Sequence, residues 1–304
     1  MNTRPGRRAF LGLCGGLAAL AMMPPARAAA RVEKAIPSSG ETLPVIGMGS
    51  WLTFDVGKLP GERAQRMQVL ETFFAHGGRL IDSSPMYGRA EEVIGEGLAR
   101  LGRPPQLFAA SKVWTPGRWL GVQQMEASRH LWGVERFDLM QVHNLLDWEA
   151  HLETLQEWKA AGRIRYLGVT TSHGRRHAEL ERIMRSHALD FVQLTYNIRD
   201  REAEQRLLPL ARERGMAVIA NRPFGGGGLF PAVRGEALPP WAAEAGCASW
   251  AQFFLRYAVS HPAVTCAIPA TSQVAHMIDN MGAALAPLPE SALRGRMLRH
   301  FLAL

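Results

Sequence analysis

Four residues able to move protons stand at or just beyond the ends of short apolar runs: Asp82 and Tyr87 in RLIDSSPMYG, Lys112 in FAASKVW, and His143 in FDLMQVHN. A carboxylate, a phenol, an amine and an imidazole so placed suit chemistry on a carbonyl, with Tyr87 as the acid. A free phenol ionises near pH ~10, so a proton donor working at neutral pH needs help. A buried Lys112 ammonium, kept charged by Asp82, is expected to stabilise the phenolate and lower that pKa. His143 is then free to hold the carbonyl oxygen. Each residue alone has a plainer reading: an ion pair between strand ends, a rim aromatic, a hydrogen-bonded core histidine. Their convergence on one rim favours chemistry.

That convergence requires a scaffold in which strand ends meet. Strand-like runs fall at Val45–Ser50, Arg79–Asp82, Leu107–Lys112, Asp138–His143, Tyr166–Thr170, Phe191–Leu194, Ala217–Asn221 and Val264–Ile268. Helical periodicity separates them, over Arg63–His76, Ala90–Leu101, Val122–Leu131, Trp148–Ala160, Arg176–His187, Glu202–Arg214, Ser249–Ser260 and Val274–Ala284. Gly77-Gly78, Gly162 and Gly215 punctuate the helix-to-strand turns. Strict alternation at about 30 residues per unit implies a parallel sheet with helical crossovers, and eight units predict an α/β fold of the (β/α)8 TIM-barrel type. A doubly wound open sheet is the alternative. VEKAIPSSGETLPVIG, turning at Ser39-Gly40, reads as an N-terminal β-hairpin, and Pro287–Leu304 as a short tail after the last helix.

Residues 1–30 read as an export signal rather than as part of the fold. An arginine pair precedes an apolar run from Phe10 to Met23, too short for a membrane span of about 20 residues, and Ala26-Arg27-Ala28 offers cleavage near Ala28 or Ala30. Arg7-Arg8-Ala9-Phe10-Leu11 resembles the twin-arginine (Tat) signal, whose machinery passes folded proteins. The expected mature chain, residues 31–304, is a single domain, periplasmic or secreted, with no stable membrane anchor. Removing the signal leaves 31 basic against 27 acidic residues, so the net charge of +8 falls to +4 and nucleic acid loses its main attraction as a partner. Short basic runs such as Gly174-Arg175-Arg176-His177 read as solvated surface. Cys247 and Cys266 read as buried thiols, although an oxidising compartment would let them pair. Ten histidines invite a metal-hydrolase reading, but no H-x-H or H-E-x-x-H occurs.

The chain resembles the aldo/keto reductase family over nearly all of its mature length. The likeness rests on IPSSGETLPVIGMGSW, LIDSSPMYGRAEEVIGEGL, SKVW, DLMQVHN, GRIRYLGVTTSH, QLTYNIRDREAE and IPATSQVAHMIDNM, in that order. It implies a monomeric barrel that passes hydride from NADP(H), with NAD(H) left open, to a small aldehyde or ketone. Tyr87 would donate the proton, Lys112 and Asp82 would tune it, and His143 would orient the carbonyl. Thr170 and Gln193 would hold the nicotinamide carboxamide. Thr171 departs from the family's usual asparagine, and Asn221 from an aromatic that stacks on the nicotinamide, which leaves the neighbouring Arg222 as a substitute. At the adenosine end Thr271, Ser272, Asp279 and Asn280 remain, but Ala270 and His276 stand where many members carry the cations that grip a 2′-phosphate. Gly225 to Gly228 lack a following Lys-Ser or Lys-Thr and read as a loop over the cofactor diphosphate, or as a plain turn. Trp51 and Trp114 are expected to line an apolar substrate mouth with Phe224. The rival function is an exported, non-catalytic ligand-binding barrel that retains the fold.

Overall fold

A computed structural model describes Met1 and residues 31–304, and the expected export signal lies outside the described residues. Arg31–Leu304 form one compact unit. The chain enters through a hairpin of β1 (Glu33–Ala35) and β2 (Thr42–Pro44), and then β3 (Met48–Gly49) opens the main sheet. The alternation continues with α1 (Pro60–Ala75), β4 (Leu80–Asp82), α2 (Ala90–Arg100), β5 (Phe108–Val113), α3 (Arg118–Trp132), β6 (Phe137–Val142) and α4 (Trp148–Ala160). It runs on through β7 (Ile164–Thr170), α5 (His177–Ser186), β8 (Phe191–Thr195), α6 (Leu207–Glu213), β9 (Ala217–Asn221), α7 (Trp250–Val259), β10 (Val264–Ala267), α8 (Val274–Gly282) and α9 (Ser291–Leu302).

β3 to β10 lie side by side in chain order, all parallel, and the parallel bridges Ile46↔Ala267 and Gly49↔Ala270 bring the two edges together. The chain folds as the (β/α)8 barrel with an N-terminal hairpin that the alternation predicts, and the open-sheet alternative falls away. Two glycines make the closing seam possible. A Cβ on Gly47 would stand 3.1 Å from Cys266 Sγ across the seam, and one on Gly49 2.8 Å from the Ile268 carbonyl oxygen. A side chain at either would push the edges apart.

The inner core is filled by Leu80, Phe108, Leu139, Tyr166, Phe191, Ile219 and Cys266, with Ile36 and Leu43 of the hairpin packed into the same cluster. Lys34 fastens the hairpin, its Nζ donating to the carbonyls of Val259, His261 and Val264 at 2.7–2.9 Å. Cys247 and Cys266 are buried free thiols, which burial pushes up to about 11 and about 12. No described helix is long and apolar enough to cross a membrane.

Three expectations are corrected. The run Val45–Ser50 narrows to Met48–Gly49, because its first residues meet the sheet only through the closing bridges. The helix expected over Glu202–Arg214 breaks into a 3-10 turn at Glu202–Glu204 and α6, with Arg206 at φ −139°, ψ −46° between them. The tail expected at Pro287–Leu304 contains α9, whose Met297 and Phe301, four residues apart, are buried on one face. Arg294 ties it down by bonding Glu204 and lying over the Tyr257 ring.

Candidate active site

The C-terminal ends of β3 to β10 surround a cavity of about 690 Å3, lined by Asp82, Tyr87, His143, Thr170, Thr171, Gln193, Asn221, Arg222 and Trp51 among others. At its floor the register puts Asp82 beside Ala110 of β5, two residues short of Lys112. Lys112 is fully buried, and its Nζ donates to Asp82 Oδ2 at 2.5 Å and to the Ser83 carbonyl at 2.9 Å. The other oxygen of Asp82 accepts from Gln193 Nε2 at 2.8 Å and Gln141 Nε2 at 3.2 Å. Both oxygens of this buried carboxylate are therefore satisfied, with a cation in contact. Burial alone would lower the Lys112 pKa, but Asp82 and Tyr87 outweigh it and hold the ammonium above its ordinary value.

Tyr87 is half-buried, in the loop between β4 and α2, with the Lys112 Nζ 5.2 Å from its ring centroid. Its pKa departs from the expectation. Burial raises it, Lys112 pulls it down, Asp82 opposes Lys112, and the balance lies above the ordinary phenol value. In the resting site Tyr87 therefore keeps its proton at neutral pH, as a donor must. Lys112 can stabilise the phenolate once the proton has gone.

His143 is held neutral, its pKa lowered to about 2 first by burial and then by Lys112. Its ring meets Tyr87 edge-on at 5.6 Å between centroids. Ser84 Oγ lies 2.8 Å from His143 Nδ1 and accepts from the Met86 amide at 3.2 Å. The serine hydroxyl thus pins the imidazole through Nδ1. Ser84 and Gln141 went unremarked in the sequence reading. The only signal for either was adjacency, Ser84 to SSPMY and Gln141 to QVH.

The remaining candidates divide. Thr171 Oγ1 is buried, lines the cavity and has no hydrogen-bond partner. Thr170 Oγ1 accepts from the Asn144 amide at 3.0 Å. Asn221 is committed on both ends, donating to the Thr171 carbonyl at 2.9 Å and accepting from Thr195 Oγ1 at 2.7 Å. Arg222 lies over Trp51, 5.8 Å from the ring centroid. Thr271, Ser272, Asp279 and Asn280 do not line the cavity. Asp279 accepts from Ser249 Oγ at 2.7 Å and Gln252 Nε2 at 2.8 Å, tying α8 to the start of α7, and Thr271 Oγ1 accepts from the Gln273 amide at 3.0 Å. Trp114 also lies outside the lining, its backbone paired with Gln124, so the apolar mouth is built by Trp51, Met86, Phe224 and Phe230.

A model of the aldo/keto reductase family matches residues 45–294. Methylglyoxal reductase YeaE of Escherichia coli (strain K12) is 30% identical over 256 residues, covering 82% of this chain and 88% of that protein. The NADH-specific methylglyoxal reductase of the same organism is 26% identical, covering 65% of this chain and 69% of that protein. Among solved structures, an aldo-keto reductase from Klebsiella pneumoniae in complex with NADPH superimposes with a TM-score of 0.71 at 24% identity, over 89% of this chain and 95% of that one, a likeness of fold. The chain belongs to the aldo/keto reductase family and is an oxidoreductase.

Proposed function

We propose that this protein reduces an aldehyde or ketone to an alcohol, with NADP(H) or, in its place, NAD(H) as the reductant and Tyr87 as the proton donor. The observation that carries this reading is the fully buried Lys112 ammonium, held by Asp82 and set beside a protonated phenol that opens into the cavity. Relatives point to the reductant: one is NADH-specific by name, and a structural neighbour holds NADPH. The residues present fit such a group. The unpartnered Thr171 hydroxyl offers a buried contact for a ligand amide, and Gly226 and Gly227 bring bare backbone to the cavity edge in left-handed conformations, φ 68° and 91°. Thr171, Thr170 and Gln193 would hold the nicotinamide end, with the Gly225–Gly228 loop along the phosphates.

When bound, the dinucleotide supplies a hydride to the carbonyl carbon. His143, neutral and pinned by Ser84, orients the carbonyl oxygen. Tyr87 passes its phenolic proton to that oxygen, and Lys112 stabilises the phenolate that remains. Asp82 keeps the ammonium charged and fixed, and Gln141 and Gln193 keep Asp82 fixed. These groups are in place before substrate arrives, so little reorganisation is needed during proton transfer.

Replacing Tyr87 with Phe should lower kcat by about 10²–10⁴-fold, the usual scale of a general acid, with dinucleotide affinity measured by tryptophan quenching almost unchanged. Undiminished turnover in Y87F would remove the role. A wild-type protein that binds neither dinucleotide would instead support the ligand-binding barrel. We also infer export through the Tat machinery, from Arg7-Arg8 and the apolar run behind them. Changing both arginines to lysine should leave precursor inside cells, and normal export of that variant would refute the inference.

A further inference from the structure

The basic run is exposed, as its composition suggests, and it also reaches the rim of the cavity. Arg175 and Arg176 line it together with His173 and Arg222, and the single carboxylate in the lining, Asp82, is already bonded to Lys112. Arg176 is occupied, donating to Glu179 Oε2 and to the Asn144 and Leu145 carbonyls. Arg175 and Arg222 have no carboxylate within 4 Å among the described residues.

Their loop is built rather than loose. The His173 amide donates to Thr195 Oγ1 at 2.9 Å, and Arg176 reaches the Asn144 carbonyl at 2.6 Å, so the loop is anchored to the ends of both flanking strands. Asn144 follows His143 directly, which sets the loop against the carbonyl-orienting wall. His173 (φ 60°), Arg176 (φ 59°) and Arg222 (φ 50°) all adopt left-handed backbone, and so do Leu52 and Asn144 in the same lining. Such conformations persist where surrounding contacts over-determine them, and they gather at ligand sites. Trp51 stands at the centre, its ring under Arg222 and 6.5 Å edge-on from His173. Burial, Arg222 and Arg175, in that order, lower the His173 pKa and outweigh the opposing pull of Asp200, so the three groups share one field of net positive sign.

The guanidinium of half-buried Arg222 and that of Arg175, exposed at the rim, have no carboxylate partner, and a ligand anion is the counter-charge the cavity leaves open. We propose that Arg175, Arg222 and His173 form an anion subsite around Trp51 that selects carbonyl substrates carrying a carboxylate or phosphate close to the reacting carbon. The substrate class rests on the reductase reading above. The rival anion is the diphosphate of the dinucleotide, and Arg175 separates the two, because it belongs to the loop braced on the His143 wall rather than to the Gly225–Gly228 loop.

The test compares kcat/KM for succinic semialdehyde, glyceraldehyde 3-phosphate and neutral butanal at saturating NADPH, in wild type, R175Q and R222Q, with NADPH affinity measured in parallel. The wild type should favour the two anionic aldehydes by about tenfold or more. R175Q should lose about tenfold of that ratio through KM, at unchanged NADPH affinity, the scale of one charge-assisted hydrogen bond at a solvated site. A wild-type preference for butanal, or an R175Q loss shared by all three aldehydes, would overturn the subsite. So would an R175Q effect that comes entirely from weaker NADPH binding, which would give the arginines to the cofactor. If the wild type reduces none of the three, the reductase reading fails separately, and the subsite is judged by binding. Succinate should then quench tryptophan fluorescence in wild type and not in R175Q, and equal quenching or none would end the proposal.

Discussion

At the β4–β8 side of the rim, Asp82, Lys112, Gln141 and Gln193 bond to one another, and the hydroxyls of two cavity-lining residues, Tyr87 and Thr171, are left without a hydrogen bond to the protein. At the β10–α8 side, residues of equally suitable type are consumed by the scaffold: Asp279 holds α7, and Thr271 caps its own turn. A polar residue at a strand end is therefore not yet a ligand. What separates the two sides is whether the donor or acceptor still has a free valence once the fold has taken its share.

The largest test of this contrast is Lys112→Met. Removing the cation leaves Asp82 buried without its counter-charge, which should cost about 3–5 kcal/mol of stability by chemical denaturation, together with most turnover. A variant that melts like wild type would show the pair to be far better solvated than its burial implies. Acid stability comes next. His143 is lowered to about 2 and His261 to about 4, against an ordinary value near 6.5 in the unfolded chain. The unfolded state thus binds more protons through that window, so stability is complete above about pH 6.5 and is lost progressively as pH falls. Denaturation at pH 7 and pH 5 should show this decline, and His143→Gln should flatten it. An unchanged slope in H143Q would place the acid-sensitive group elsewhere.

The smallest effects bear most directly on the two sides, and they should part company. Thr171→Val removes a hydroxyl with no protein partner, so stability should hold while dinucleotide affinity falls a few-fold. Asp279→Asn weakens two hydrogen bonds to α7 and should cost about 1 kcal/mol, with affinity nearly unchanged. Both are read by paired thermal melts and fluorescence titrations. A tenfold affinity loss in D279N alone would reverse the assignment of the two sides.

Much of this was legible beforehand, because it depends on local order. Alternating periodicities and glycine stops specify eight strand–helix units, and a barrel of such units must collect strand ends on one rim, which is why Asp82, Tyr87, Lys112 and His143 could be placed together from their spacing. The net direction of the Tyr87 shift was not legible, since it balances burial against two opposed charges whose distances only packing sets. Nor was the place of Arg175 and Arg176 in the cavity lining, since on composition alone they resemble any solvated pair, or the exclusion of Trp114 from the mouth. The sequence by itself determined the kind of scaffold and the residues at its strand ends. Tertiary structure alone decided which of those polar atoms stayed unpaired, because hydrogen-bond partners far apart in the chain, such as Asp82 with Gln193 or Asp279 with Ser249, exist only once the barrel has closed.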